Sequence, residues 1–281
     1  MRIANLAGRL VLLSTDGSAI DVAKASAGQY DSDPQNIYND WSEFRTWAST
    51  AQHGQGQEFD PAELGPLTPS PRQILAIGMN YRDHAEEIGA PTPEVPSVFT
   101  KFATSLTGPH ADITLPPGNN DWEVEVVVII GRSTKCIEED EAWNHVAGLT
   151  IGQDISERIT QTQGPQPQFS LGKSFPGFGP IGPWLVTVDE FDNPDDLGLR
   201  CSVNGKVMQD GRTSDMVFSI PRLLADLSRI IELQPGDVIF TGTPAGVGAA
   251  RNPQIFLQSG DELVSWVEGI GEMHHTILAG Q

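Results

Sequence analysis

The sequence is poor in cysteine and in basic residues. Its 281 residues include two cysteines, Cys136 and Cys201, too few for a disulfide framework, and we interpret both as reduced thiols. Seventeen lysine and arginine residues stand against 37 aspartate and glutamate residues, so the formal net charge is −20 and the sequence pI is about 4.5. Because nucleic-acid backbones and anionic membranes attract basic surfaces, we expect neither as a partner.

Long apolar runs are also missing from the sequence. No segment approaches the roughly 18 apolar residues of a membrane span. The apolar start of the chain is interrupted by Arg9 and closed by Asp16, which argues against a signal peptide, and we expect a cytoplasmic protein. Glycine (29) and proline (21) are plentiful and scattered, which predicts many tight turns between short strands.

The chain is predicted to form a small N-terminal unit, residues 1–65, and a larger unit, residues 72–281. The first holds two short strands and a helix over residues 36–50, in which aromatic residues recur every three positions. A proline-rich linker at 61–71 follows. We predict a β-rich α+β fold: a mixed β-roll or barrel with a small N-terminal α/β unit.

Strands outnumber helices in the larger unit. Asn204-Gly205 is the strongest hairpin signal in the chain. The predicted helices are 140–147 and 220–231, and the predicted strands are 74–77, 97–101, 123–130, 149–154, 183–188, 199–203, 238–241 and 263–267.

An acidic pair lies on one of these strands. Glu123 and Glu125 point to the same face because side chains alternate along a strand, while valine and isoleucine cover the opposite face. The pair is either a strand end whose glutamates reach solvent or a site for a cation that relieves their repulsion. Asp154, where another strand meets a loop, supplies a third carboxylate. Carboxylates without cysteine or paired histidine favour Mg²⁺ or Mn²⁺, with Ca²⁺ as a further candidate, over zinc.

Two more segments carry chemistry. His84 and Glu87 are three residues apart, so on a helical turn the carboxylate either orients the imidazole as a base or makes an ordinary surface contact. Lys173 stands alone in a run of glycine, proline and phenylalanine, where it could neutralise a carboxylate. The glycine-rich turn 240–248 lacks the lysine of a phosphate loop, but its backbone and Thr243 could hold a carboxylate.

Together and in this order, these motifs resemble the fumarylacetoacetate hydrolase family over about residues 72–277. The resemblance implies a mixed β-roll catalytic domain, usually in a homodimer, and cleavage of a carbon–carbon bond beside a 1,3-dicarbonyl or 2-oxo acid. Its specific elements are Gly78-Met79-Asn80-Tyr81 with His84, Glu123-Val124-Glu125, Gly152-Gln153-Asp154 followed by Arg158 and Gln161, Lys173, and Gly242-Thr243-Pro244.

The resemblance also implies roles for individual residues. Glu123, Glu125 and Asp154 are expected to hold the divalent metal. His84 with Glu87 is expected to activate water, and Lys173 is expected to add positive charge beside the reacting oxygens. The positions that resemble substrate-binding residues are Tyr81, Lys101, Arg158, Gln161 and Thr243.

The function expected from these elements is a metal-dependent hydrolase that cleaves an anionic acylpyruvate or diketo acid through a metal-stabilised enolate. Three alternatives stay open: a decarboxylase of oxaloacetate type, a 2-hydroxydienoate isomerase, and a catalytically inactive binding protein. The sequence departs from many relatives at 176–179, where they carry an acidic or hydroxyl residue. This segment is expected to border the substrate.

Overall fold

Two β-sheets pack against each other around a shared apolar core in the computed structural model, which describes residues 1–50 and 54–280. The predicted β-rich α+β fold is confirmed. The strands are β1 (Arg2–Leu6), β2 (Arg9–Leu13), β3 (Ala19–Asp21), β4 (Leu64–Gly65), β5 (Ile74–Gly78), β6 (Ser97–Thr100), β7 (Leu106–Thr107), β8 (Ile113–Leu115), β9 (Asn120–Asp121), β10 (Val124–Ile130), β11 (Val146–Gln153), β12 (Ser156–Glu157), β13 (Gly179–Val186), β14 (Gly198–Val203), β15 (Lys206–Arg212), β16 (Val238–Phe240), β17 (Glu262–Val267) and β18 (Gly271–Ala279).

Helices are short by comparison. The α-helices are α1 (Val22–Ala25), α2 (Trp41–Thr50), α3 (Arg82–Glu87), α4 (Arg158–Gln161), α5 (Phe169–Gly172) and α6 (Ile220–Ser228). Single turns of 3₁₀ helix occupy Asn36–Asp40, Pro61–Glu63, Ala103–Ser105, Val188–Glu190 and Thr213–Asp215, and a longer 3₁₀ segment spans Glu139–His145. None of the helices in the described ranges has the length and apolar character needed to cross a membrane.

The larger sheet is mixed and has eleven strands in the described residues. Its order is β3-β2-β1-β13-β11-β10-β16-β5-β6, with β4 added beside β1 and β7 beside β13. Strands from residues 1–65 thus continue the same sheet, because β1 pairs with β13. The division into two units at residues 65 and 72 stays a prediction. The second sheet has the order β15-β14-β17-β18-β8.

Strand β10 is buried on both faces, which explains its near-continuous β-branched sequence. Val126 and Val128 belong to the core shared with the second sheet, alongside Leu199 and Leu263. On the other face, Val127 and its neighbours pack in a cluster with the aromatic residues of α2. The predicted role of the aromatic stripe in core packing is therefore confirmed.

The predicted hairpin is present in the structure, whereas two predicted helices differ from it. The hairpin at Asn204-Gly205 joins β14 to β15, and both residues have positive φ, as a tight hairpin turn of this type requires. The predicted helix at 140–147 is wrong: the segment Glu139–His145 is 3₁₀, and the chain joins the sheet at Val146. The predicted helix at 220–231 ends earlier, at Ser228.

Four strand ends meet at one edge of the large sheet. Strand β10 begins there, while its antiparallel neighbours β11 and β16 end there. Strand β5 runs parallel to β16, so it also ends at this edge and leads into α3. Residues that are far apart in the sequence are therefore brought together at this edge.

Candidate metal centre and active site

Three carboxylates converge where β10 begins. Oxygen atoms of Glu123, Glu125 and Asp154 all lie within 4.8 Å of one another, and the three residues are buried. The pairing of Val124 with Gln153 places the two glutamates beside the end of β11, and the N–H of Asp154 donates to the Glu123 carbonyl at 2.9 Å. The structure thus brings together the three predicted metal ligands.

Two buried glutamines hold the backbone of this acidic segment. The side-chain oxygen of Gln153 accepts from the N–H of Glu123 at 2.8 Å. That of Gln209, on the second sheet, accepts from the N–H of Val124 at 3.0 Å. The Thr243 hydroxyl donates to the Val124 carbonyl at 2.9 Å, so the backbone between the two glutamates is fixed on both sides.

Cations surround two of the three carboxylates. The Nζ of Lys173 lies 2.7 Å from oxygens of both Glu123 and Asp154. Lys101 Nζ lies 2.6 Å from the other Asp154 oxygen and also donates to the carbonyl of Lys173. Arg158 pairs with Glu123 at 2.7 Å. The cluster therefore holds cations close to the carboxylates that are predicted to bind a metal.

These contacts shift the pKa values of the two glutamates in opposite directions. Burial opposes ionisation of Glu123, but Lys173 and Arg158 outweigh it and hold its pKa at about 2. For Glu125, burial and the nearby charges of Asp154 and Glu123 raise the pKa well above its ordinary value. Glu125 accepts one N–H, from Gly242 at 2.7 Å, and has no ion pair within the described part of the chain.

This imbalance fits a divalent cation. Glu125 is 1% exposed, and an isolated buried carboxylate is costly unless it is paired. The donor set consists of carboxylate oxygens alone, which suits Mg²⁺, Mn²⁺ or Ca²⁺ rather than a softer metal. The residues present therefore match the predicted divalent ion in donor chemistry.

The histidine and glutamate predicted as a pair lie within hydrogen-bonding distance. His84 Nδ1 is 3.1 Å from a carboxylate oxygen of Glu87. Burial raises the pKa of Glu87, but hydrogen bonds from His84 and from the N–H of Gly246 outweigh it and leave the pKa below its ordinary value. An Nδ1–H that donates to this carboxylate leaves Nε2 available to accept a proton.

One cavity of about 620 Å³ has His84 of this pair and Glu123 of the acidic cluster in its lining. The predicted site residues in its lining are His84, Glu123, Arg158, Gln161, Lys173 and Thr243. Glu87, Glu125, Asp154, Lys101 and Tyr81 are absent from that lining, so the cavity meets the cluster at Glu123 and the pair at His84. The side chain of Lys101 has no exposed surface and contacts Asp154, and Tyr81 is fully buried. Their substrate-binding roles stay predictions.

Asp121 is a residue of this site that sequence reasoning missed. It is fully buried and accepts two hydrogen bonds from Arg158, at 2.7 and 2.9 Å, as well as the N–H groups of Gly248 and Ala249. It therefore connects the arginine to the glycine-rich turn. The signal was available, because Asp121 continues the alternation of Glu123 and Glu125 by one step.

The fold and this cavity define an enzyme of the fumarylacetoacetate hydrolase superfamily. The family model "Fumarylacetoacetate (FAA) hydrolase C-terminal" matches residues 73–278, so the chain belongs to the fumarylacetoacetate hydrolase family. This confirms the resemblance of the motifs.

Named relatives carry several activities. The chain is 45% identical over 217 residues to human "Oxaloacetate tautomerase FAHD2A, mitochondrial", covering 76% of this chain and 69% of the relative. A solved structure of a putative HpcE protein from Mycobacterium smegmatis is 50% identical, with a TM-score of 0.96 and full coverage of both chains. Maleylpyruvate hydrolase from Sphingobium sp. SYK-6, solved with manganese(II) and pyruvate, is 27% identical, with a TM-score of 0.82 and full coverage of both chains.

Proposed function

We propose that this protein is a divalent-metal-dependent hydrolase that cleaves the carbon–carbon bond of an acylpyruvate-type 2-oxo acid. The observation that carries the proposal is a single cavity lined by Lys173, by Glu123 of the carboxylate cluster and by His84, whose Nδ1 lies beside Glu87. The manganese(II) and pyruvate bound by the Sphingobium maleylpyruvate hydrolase support the same metal and product chemistry.

Glu123, Glu125 and Asp154 would hold the ion, which when bound supplies Lewis-acid stabilisation of negative charge on the oxygens of the 2-oxo acid. Lys173 remains beside Glu123 and Asp154 and adds positive charge at the same place. Thr243 lines the cavity, and its hydroxyl fixes the backbone between the two glutamates by donating to the Val124 carbonyl.

His84 supplies the proton transfers. Its Nε2 accepts a proton from water while Glu87 keeps the ring oriented through Nδ1. The hydroxide adds to the acyl carbonyl, the carbon–carbon bond breaks, and the electron pair passes to the methylene carbon of the leaving pyruvate enolate. Return of the proton to that carbon gives pyruvate and the carboxylic acid of the acyl group, which then loses its own proton to solvent, so atoms and charge balance.

The test is release of pyruvate from a panel of acylpyruvates, with Mg²⁺ or Mn²⁺ present and after EDTA treatment. Pyruvate formation that disappears with EDTA and returns with metal supports the proposal. Consumption of no acylpyruvate under either metal would refute it.

A keto–enol tautomerase is the second candidate, favoured by the relative named oxaloacetate tautomerase at 45% identity. The same cavity suits it, because moving a proton between carbon and oxygen requires the base His84 but no attacking water. Spectroscopic conversion of enol to keto oxaloacetate, without release of pyruvate from any acylpyruvate, would favour this candidate over the hydrolase.

A further inference from the structure

The wall of the active-site cavity has two chemically different parts. The polar part consists of Glu123, its cationic partners Arg158 and Lys173, the Arg158 acceptor Gln161, Thr243 and His84. The remaining side chains in the lining carry no charge and are apolar apart from the hydroxyls of Ser97 and Thr162. The larger apolar side chains are Ile77, Met79, Ile88, Phe99, Phe169 and Val247.

Two aromatic rings of the apolar part lie next to Lys173. The ring centroids of Phe99 and Phe169 lie 5.7 Å apart at an interplanar angle of 63°, an edge-to-face pair. The Nζ of Lys173 lies 5.2 Å from the centroid of Phe99. A substituent on an acid bound near Lys173 is therefore close to this aromatic pair.

The cations of the lining are already committed to carboxylates. Arg158 gives two nitrogens to Asp121 and a third to Glu123, at 2.7 to 2.9 Å. Lys173 bridges Glu123 and Asp154. Arg158 and Lys173 are the arginine and lysine that the described lining contains. A second carboxylate on the substrate would find no unpaired cation there.

Four backbone N–H groups in the glycine-rich turn after β16 are also paired with carboxylates. The N–H of Ala245 donates to Asp83 at 3.3 Å and that of Gly246 donates to Glu87 at 3.0 Å. The N–H groups of Gly248 and Ala249 both donate to Asp121. These four donors hold the protein's own carboxylates, so they are not free for a second anionic group of a ligand.

We propose that the end of the substrate remote from its 2-oxo acid is uncharged and apolar, an aryl or branched alkyl group held against Phe99 and Phe169. The inference rests on the proposed hydrolase function and narrows its substrate class. A terminal carboxylate would lose its hydration among apolar side chains without gaining a charge partner, whereas an apolar group gains by leaving water. The cavity, about 620 Å³, also has more room than a four-carbon dicarboxylate needs.

The experiment compares kcat/KM for two acylpyruvates of matched length, one ending in phenyl or branched alkyl and one ending in a carboxylate. We expect the apolar substrate to be favoured roughly a hundredfold. The same comparison is made with the Phe169→Arg variant, which places a cation in the lining and should reduce the preference for the apolar substrate roughly tenfold. Ile230→Arg is the control, because Ile230 is 86% exposed and lies outside the lining.

A binding measurement separates this inference from the proposed reaction. Calorimetry of the metal-loaded protein with phenylpyruvate and with oxaloacetate compares an aryl and a carboxylate substituent on the same 2-oxo acid. Tighter binding of phenylpyruvate, weakened by Phe169→Arg and not by Ile230→Arg, supports the inference even if no acylpyruvate is cleaved. Absence of cleavage would refute the hydrolase alone. Equal or tighter binding of oxaloacetate, or equal kcat/KM for the two acylpyruvates, would overturn it.

Discussion

The side chain of Gln209 accepts a hydrogen bond from the backbone N–H of Val124 at 3.0 Å, so a residue of the second sheet fixes the backbone between the two glutamates of the acidic cluster. The same side chain donates to the Thr243 hydroxyl at 2.7 Å and to the Pro244 carbonyl at 2.8 Å. Gln209 is 1% exposed. It connects the start of β10 to the turn after β16.

Gln209→Leu should therefore weaken both folding and metal binding. The change leaves a buried N–H and two buried oxygens without their partner, which we expect to lower the free energy of unfolding by about 3 kcal/mol. Urea unfolding of the metal-free protein and calorimetric titration with Mn²⁺ measure the two effects. Gln258→Leu is the control: this glutamine is exposed and its side chain donates to the carbonyls of Phe256 and Leu257, so unchanged stability is expected. Equal behaviour of the two variants would contradict the positioning role.

The two glutamates of the cluster should respond oppositely to loss of charge. Glu123→Gln leaves Lys173 and Arg158 short of a buried partner and should destabilise the metal-free protein by about 3–5 kcal/mol. Glu125 has no ion pair in the described residues, and burial with the nearby Asp154 raises its pKa, so Glu125→Gln should leave the metal-free protein at least as stable as the parent at pH 7.5. Denaturant unfolding after EDTA treatment measures both. Added Mn²⁺ should stabilise the parent and neither variant. Equal destabilisation by both substitutions would contradict the assigned charge balance.

His275 predicts a loss of stability in acid. Burial lowers its pKa to about 4, although its Nδ1 lies 2.9 Å from the Ala111 carbonyl. The unfolded chain takes up this proton near pH 6.5 and the folded chain only near pH 4. Stability from this group is therefore complete above pH 6.5 and is lost as the pH falls to about 4, by about 3 kcal/mol at most.

Unfolding free energies of the parent and of His275→Gln between pH 7 and pH 4 test this expectation. The parent should lose more unfolding free energy than His275→Gln as the pH falls from 7 to 4. His274→Gln is the matched control, because His274 is exposed on the adjacent position of β18. Parallel curves of unfolding free energy against pH for the parent and His275→Gln would refute the role of His275 in acid destabilisation.

The expected homodimer finds support in exposed apolar side chains on neighbouring elements. Val98 on the edge strand β6, Phe102 just after it, Leu171 on α5 and Ile159 on α4 are 44–64% exposed. Exposed apolar side chains on adjoining elements are typical of interaction sites. Light scattering should give a particle of twice 30.3 kDa, and Leu171→Glu with Phe102→Glu should shift it toward the monomer. A parent protein that is monomeric at micromolar concentration would rule the dimer out.

Local patterns predicted the part of the site that depends on strand alternation and helical spacing. Glu123 and Glu125 share a face because alternate side chains do, and His84 meets Glu87 because three residues make about one turn. The partners supplied by distant strands were not accessible to that reasoning. Gln209 reaches Val124 only because the two sheets pack face to face, a relationship that no local spacing encodes.

The same limit applies to the charges around the cluster. Lys101 and Arg158 were expected to contact substrate, and the structure pairs them with Asp154 and with Glu123 and Asp121. A sequence shows that a cation is present but not which carboxylate lies beside it. The resemblance to the family identified the residues of the site, whereas the pairing among them required the fold.

The most direct test of the central claim is pyruvate release from a phenyl-terminated acylpyruvate by the Mn²⁺-loaded parent and its His84→Ala variant. General-base catalysis by His84 predicts a fall in kcat/KM of roughly 10²–10⁴. Mn²⁺ affinity, measured by calorimetry, should stay unchanged because His84 is not among the cluster's carboxylates. Wild-type rates of pyruvate release in His84→Ala would contradict the proposed hydrolase mechanism.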